Sequence, residues 1–233
     1  MNNNAANWAV NKLSTDGPTP ALPVHELVYR QLRAHILFGE LAPGQPVTIQ
    51  GLTEMMGAGM TPVREAIRRL VAEGALEASG NRRVGVPMLS PGNVDELIHA
   101  RQAIETELAL RAATRATPEN IAGLAAIDAR LDAAITSGNV RAYLEENYLF
   151  HASLYAIADA PILSAIADGL WLRFGPSLRM VCGRIGTQNL PDQHKEAIEA
   201  MRAGDAEAAA SAMRDDVIQG MEQVRQALSE SIV

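Results

Sequence analysis

Residues 61–70, Thr61-Pro62-Val63-Arg64-Glu65-Ala66-Ile67-Arg68-Arg69-Leu70, restrict the fold more than any other stretch. A helix accepts proline near its start, where the missing N–H is one of the donors that lack an intrahelical partner anyway. Pro62 therefore predicts a helix beginning at this point, with Thr61 as its N-cap and Glu65 complementing the positive end. Val63, Ile67, Leu70 and Val71 recur at helical spacing and predict one buried face. Arg64 and Arg68 stand four residues apart on another face, with Arg69 beside them. A short helix with a buried stripe and a basic exposed stripe suits the major groove of DNA.

The charge distribution is compatible with that reading, although the chain as a whole carries −7. Residues 22–90 hold seven Arg against six Glu, whereas residues 91–233 hold twelve Lys and Arg against twenty Asp and Glu. The acidity thus belongs to the second part, and a near-neutral first part can still turn its arginines to one face. An apolar content of 48% supports a sizeable core, and with aromatics at only 4% that core must rest on Leu, Ile, Val, Ala and Met. The 233 residues suffice for two ordinary domains. Cys182 is the single cysteine, which excludes an intramolecular disulfide and a multi-cysteine metal site. No apolar run approaches the ~20 residues of a membrane span, and the Asn-rich start lacks a signal pattern. These features predict a cytoplasmic protein with no membrane partner.

Along the chain, residues 1–21 are polar, contain Gly17-Pro18-Thr19-Pro20, and predict a flexible arm. Val28, Leu32 and Ile36 predict a helix over 24–38, ended by Gly39 and a turn at Ala42-Pro43-Gly44. Residues 48–56 predict a short helix with Ile49, Leu52 and Met56 inward, and Gly57-Ala58-Gly59 turns into the helix of 61–70. Helix, glycine-containing turn and helix make a helix-turn-helix. Residues 76–79 and 82–87, joined at Gly80-Asn81, predict a hairpin with Arg82 and Arg83 near its tip, which completes a winged domain over 22–88. A connection over 89–93 leads to a second domain over 94–229.

In that second domain Ser90-Pro91, Thr117-Pro118-Glu119 and Pro161 are helix starts, and Asp205 can cap a last helix. Apolar residues recur at helical spacing in each segment: Leu97, Ile98, Ile104 and Leu108, then Ile121, Leu124, Ile127, Leu131 and Ile135. Further helices are expected over 140–158, from 161 onward with a break at Gly175-Pro176, over 192–203, and through Met213, Val217, Met221, Val224 and Leu228. Residues 186–191 are expected to be a loop. No strand-like alternation follows residue 90. The fold class is therefore mainly α, an N-terminal winged helix-turn-helix followed by an all-α bundle.

Gly39-Glu40-Leu41-Ala42-Pro43-Gly44, followed by Thr61-Pro62-Val63-Arg64-Glu65-Ala66, resembles the GntR family of bacterial transcription regulators. Phe150-His151, His194 and the segment from Met201 to Ala208 resemble that family's FCD effector-domain type. The resemblance covers about residues 22–228. It implies a homodimeric regulator, read here as a repressor of a catabolic operon, that binds operator DNA. Its affinity would respond to a small carboxylate or sugar acid held in the bundle. No nucleophile motif or phosphate loop accompanies it, so no catalytic residue is assigned and no enzyme is expected.

Within that frame the DNA-binding candidates are Gln50, Met60, Thr61, Arg64, Arg68, Asn81, Arg82 and Arg83. Arg64 matches a family arginine that contacts DNA. Thr61 either caps its helix or also meets a phosphate. Of Arg68 and Arg69, one is expected to face phosphate or solvent and the other to pair with Glu65 or Glu73. Asn81, Arg82 and Arg83 lie at the wing tip, where phosphate or minor-groove contacts are natural. The sequence departs from the family at Met60, where an arginine is usual, and at Gln50, where a basic residue is common.

The resemblance also implies a divalent metal, Zn, Ni or Mn, held in the family by one Asp and three His. The matching positions here are Asn147, His151, His194 and Asp216, so the carboxylate stands at the other end of the set. Asn147 and His151 are four apart on one helix and share a face. The alternative is a polar cluster that bonds an effector directly or simply packs. Arg101 and Asn147 are the effector-binding candidates. Arg101 has two readings: a bidentate partner for a ligand carboxylate, or an ion pair with Glu105 four residues on.

Overall fold

The computed structural model describes residues 22–78, 83–182 and 192–230, and these form nine helices and one three-stranded sheet. The arm 1–21, the hairpin tip with Asn81 and Arg82, and the loop 186–191 lie outside the described residues. Two compact units result. One holds the described residues up to Ser90 together with Trp171–Arg179; the other holds Pro91–Leu170 and the chain from Met180 onward.

In the first unit, helix α1 (Val24–Leu37) buries Val28, Leu32 and Ile36, as their spacing requires. A short strand β1 (Pro46–Thr48) follows, for which the sequence pattern gives no expectation. Thr48 then caps helix α2 (Ile49–Met56), its Oγ1 accepting from the Gly51 N–H at 3.0 Å. Gly57 closes α2 in the left-handed conformation, with φ 57°, a geometry that residues with a Cβ rarely adopt. Helix α3 (Met60–Ala72) starts earlier than expected: Gly59 is its N-cap, so Thr61 lies inside the first turn instead of capping it. Pro62 remains within that turn, where its lack of an N–H costs nothing. Val63, Ala66, Ile67 and Leu70 form the buried face. Val71, expected to join them, is 39% exposed, because it falls past the edge of the stripe.

Strands β2 (Glu77–Ala78) and β3 (Arg83–Gly85) are shorter than the expected hairpin, but the sheet is larger. It runs β1-β3-β2, all antiparallel, with Val84 opposite both Val47 and Ala78. The winged architecture therefore holds, with one strand more than anticipated.

The second unit is all-α. It contains α4 (Pro91–Arg115), α5 (Pro118–Thr136), α6 (Val140–Ala158), the first part of α7 (Pro161–Cys182), α8 (Gln193–Ala203) and α9 (Ala206–Glu230). Residues 91–93 of the expected connection are the first turn of α4. Thr117 and Asn120 form a reciprocal capping box, Asp192 caps α8, and Asp205 accepts from the Ala208 N–H at 2.9 Å to cap α9. Helix α9 packs on α4 and α8, α6 packs on α4 and α5, and α5 also meets α8. Five helices thereby present side chains to one interior. Among the described residues no helix is long and apolar enough to cross a membrane.

Helix α7 corrects a further expectation, since it runs unbroken through Pro176. An interior proline removes a ladder bond and costs about 3 kcal/mol in an exposed helix. Here Trp171, Phe174 and Leu178 around it are all buried, and that packing offsets the lost bond. The approach is close: a Cβ on Gly175 would stand 2.7 Å from the Leu37 carbonyl oxygen. Arg179 donates to the Phe38 carbonyl at 3.5 Å, and the Arg173 guanidinium lies against Gly74, just past α3. These two arginines therefore serve the first unit.

Candidate functional site

Three of the four residues expected to form a metal site converge in the bundle. His151 on α6 and His194 on α8 are buried, and Asp216 on α9 is half-buried. His151 Nε2 is 3.2 Å from Asp216 Oδ2, and His194 Nε2 is 3.7 Å from Asp216 Oδ1. One donor atom from each of the three lies within 4.8 Å of the others. Phe150 stacks on the His194 ring at 3.9 Å with 9° between planes, which fixes the orientation of that imidazole. Asn147, the fourth expected member, is buried one turn before His151 on the same helix.

The outer nitrogens also meet carboxylates. His151 Nδ1 lies 3.4 Å from Glu105 Oε2 and 3.4 Å from the Tyr155 hydroxyl, and His194 Nδ1 lies 3.5 Å from Asp128 Oδ1. Glu105 in turn receives Arg101 on both oxygens, at 2.5 and 3.1 Å, and the Tyr155 hydroxyl at 2.5 Å. Burial pushes the Glu105 carboxyl up, but the Arg101 guanidinium and His151 outweigh it and hold it down to about 2. Burial likewise raises Asp216, and its bond with His151 and the charge of His194 bring it down to about 2. For His151 burial favours the neutral ring, while bonds to Asp216 and Glu105 win and raise it. Arg101 thus has the intrahelical partner that sequence reading offered as one of two possibilities.

The donor set can be tested against a metal ion. His194 Nε2 is buried with no hydrogen-bond partner, an arrangement that costs roughly 1–3 kcal/mol if left so. Two imidazole nitrogens and a carboxylate facing one point form a set that borderline divalent ions accept. The residues fit. A second acidic group, Asp128, Asp132 and Asp192, is different in kind. The Lys195 ammonium already sits in it, 2.8 Å from Asp132 and bonded to Asp192.

Sequence reading missed Asp128 and did not connect Glu105 to His151. For Asp128 a signal existed: it interrupts the stripe of Leu124, Ile127 and Leu131, all buried, with an equally buried charge. For Glu105 the link to His151 crosses between helices and leaves no local mark.

The candidate nucleic-acid interface lies on α3 and the sheet. Arg64 is exposed and makes no ion pair among the described residues. Arg68 is exposed and bonded to Glu65 on the same helix. Arg69 turns inward, bonding Glu73 at 3.2 Å and Glu26 at 3.1 Å. Met60, 49% exposed, and Thr61 occupy the first turn beside Arg64. Gln50 on α2 is exposed and donates to Glu54 at 3.2 Å. Arg83 is exposed at the start of β3, opposite Thr48. Of the eight expected residues, six are therefore exposed, and Asn81 and Arg82 lie outside the described residues.

Two family models match the chain: "Bacterial regulatory proteins, gntR family" over residues 25–86 and "FCD domain" over 96–218. The HTH-type transcriptional regulator McbR of Escherichia coli K12 is 29% identical over 183 residues, covering 77% of this chain and 83% of McbR. A probable D-xylose utilization operon transcriptional repressor of Paenarthrobacter nicotinovorans is 28% identical over 181 residues, 77% of this chain and 79% of that protein. The solved structure of E. coli McbR/YncC superposes with a TM-score of 0.82 at 26% identity, over 88% of this chain and 99% of that one.

Proposed function

Because the chain belongs to the GntR family of bacterial transcription regulators and carries an FCD domain, we propose that it is a metal-assisted, ligand-responsive repressor. In this reading a cytoplasmic homodimer sets two α3 helices into successive major grooves of an operator, about 34 Å apart. Arg64 reads a base edge or phosphate from the first turns of α3, while Thr61, Arg68 and the wing residues Asn81, Arg82 and Arg83 meet the backbone. The regulated genes form a catabolic operon and the effector is a small carboxylate or sugar acid. The probable D-xylose utilization operon transcriptional repressor among the relatives supports the repressor and catabolic-operon parts of this reading.

One observation carries the sensing half: the buried, unpartnered Nε2 of His194, aimed with His151 at the Asp216 carboxylate. His151, His194 and Asp216 would hold a divalent ion, with Asn147 as a neutral fourth donor. Bound there, Zn, Ni or Mn would supply a Lewis acid that anchors the effector carboxylate. Asp216 supplies the charge that the family usually places at the position of Asn147, so the formal charge of the set is preserved.

The test has two parts. Metal analysis of the purified protein is expected to give one divalent ion per chain, lost in His151→Ala. A thermal-shift screen of small carboxylates and sugar acids, followed by gel shifts on the fragment upstream of the protein's own gene, is expected to find a ligand that changes operator affinity. A metal-free wild type with a normal ligand response would mean that the cluster bonds the effector directly. Absence of salt-dependent binding to any upstream fragment would overturn the operator reading.

A further inference from the structure

We propose that Asp128 is a positioning residue: it holds the Nδ1–H tautomer of His194, so that the Nε2 lone pair faces Asp216. This deepens the metal reading above and rests on it for its purpose, though not for its geometry.

A neutral imidazole carries one proton, and whichever nitrogen meets an acceptor keeps it. His194 has a carboxylate near each nitrogen, Asp128 Oδ1 at 3.5 Å from Nδ1 and Asp216 Oδ1 at 3.7 Å from Nε2. The two leftover atoms decide the matter. Asp128 Oδ1 and His194 Nε2 are both buried and both lack a hydrogen-bond partner. A proton on Nδ1, with a closure of a few tenths of an ångström, satisfies Asp128 and frees Nε2 to bind a cation; both orphans are then accounted for. A proton on Nε2 leaves Asp128 Oδ1 unserved. Phe150, stacked on the ring, permits small in-plane adjustment while blocking rotation out of plane.

The neighbouring imidazole repeats the pattern from other helices. His151 Nε2 faces Asp216, and its Nδ1 faces a buried carboxylate, Glu105. Two rings from α6 and α8 are thus each backed by a carboxylate, from α4 and α5. Stability alone gives no reason for Asp128 in its apolar stripe, because burying a carboxylate costs several kcal/mol. Its other oxygen is 4.0 Å from Lys195 Nζ, which is half exposed. Carboxylates behind metal-binding histidines fix tautomer and ring orientation, and removing one costs typically 10–100-fold in metal affinity.

The experiment uses full-length protein labelled with ¹⁵N-histidine, whose five histidines give a readable set of long-range ¹H–¹⁵N signals. His194→Gln identifies the His194 signal by its absence. In metal-free wild type the Nδ1–H tautomer is expected at His194, and Asp128→Ala is expected to shift it toward Nε2–H. Zinc affinity, measured by competition with a chromophoric chelator, should fall 10–100-fold in Asp128→Ala. Asp128→Leu fills the same space without an acceptor and serves if the alanine variant does not fold. An Nε2–H wild type, or a variant that keeps both tautomer and zinc affinity, overturns the proposal. A wild type that binds no zinc but loses the Nδ1–H tautomer with Asp128 upholds the positioning role and defeats the metal reading.

Discussion

The Arg69 guanidinium lies 3.5 Å from the centre of the Tyr29 ring, on a helix other than its own. The Tyr29 hydroxyl donates to both Glu73 oxygens at 2.9 Å, and Arg69 bonds Glu73 and Glu26. Burial, then the Glu73 carboxylate, push that hydroxyl up to about 12, so it remains a donor. Three arginines that look alike along α3 are separated by their partners: Arg69 ties α3 to α1, Arg68 pairs with Glu65, and Arg64 stays exposed with no ion pair among the described residues.

Arg64→Ala is expected to weaken operator binding by about 1–3 kcal/mol, roughly 5- to 150-fold, with unchanged thermal stability. Arg69→Ala is expected to do the reverse. It should lower stability by about 1–2 kcal/mol from the lost cation–π contact and partly exposed ion pairs, with little direct effect on DNA. Gel-shift titration beside thermal unfolding separates the two, and equal affinity of wild type and Arg64→Ala would defeat the assignment of Arg64.

Met60→Arg should change which operator is chosen. Met60 is exposed in the first turn of α3, where the family resemblance leads one to expect an arginine, and a guanidinium in that turn suits guanine O6 and N7. Selection from randomised half-sites should return an added guanine preference of about 1–3 kcal/mol for the variant. Identical selected sites for both proteins would show that this position does not face bases.

Two glycines on α7 make a controlled pair. A Cβ at Gly175 meets the Leu37 carbonyl at 2.7 Å, whereas one at Gly169 meets nothing within 4 Å. Gly175→Ala should destabilise by about 1–3 kcal/mol through overpacking. Gly169→Ala should stabilise by about 0.5–1 kcal/mol, because alanine favours the helix. Urea unfolding of both reads the difference, and a neutral Gly175→Ala would mean that α7 is not seated on α1.

Arg101→Ala should cost about 3–5 kcal/mol, because Glu105 would keep a buried charge without its partner. Loss of effector response in that variant would therefore not identify an effector contact. Arg101→Met combined with Glu105→Gln removes both charges and keeps an acceptor for the Tyr155 hydroxyl, so it should recover much of the stability, and failure to recover it would assign Arg101 a structural role beyond the charge pair.

Helix starts were legible because they rest on local chemistry: Pro91, Pro118, Asp192 and Asp205 act within one turn. The trio of candidate ligands was legible through resemblance, because His151, His194 and Asp216 carry their type and position with them. What was hidden depends on distant partners. Arg69 and Glu26 are 43 residues apart, and no spacing rule connects them. Strand β1 is three residues long with Pro46 at its start, too short to show alternation, and exists because β3 pairs with it. Pro176 reads as a break until the packing around it is known.

That segment also bears on how such a regulator can be cut or grafted. Residues 171–179 belong to the winged unit although they come 86 positions after its last strand ends at Gly85. A fragment ending at Ser90 would bare the end of α1 and leave Leu37 and Phe38 without their cover. A chimera joining this reading head to another sensor must therefore import the matching stretch of α7 as well, so the transferable unit is larger than the contiguous N-terminal segment.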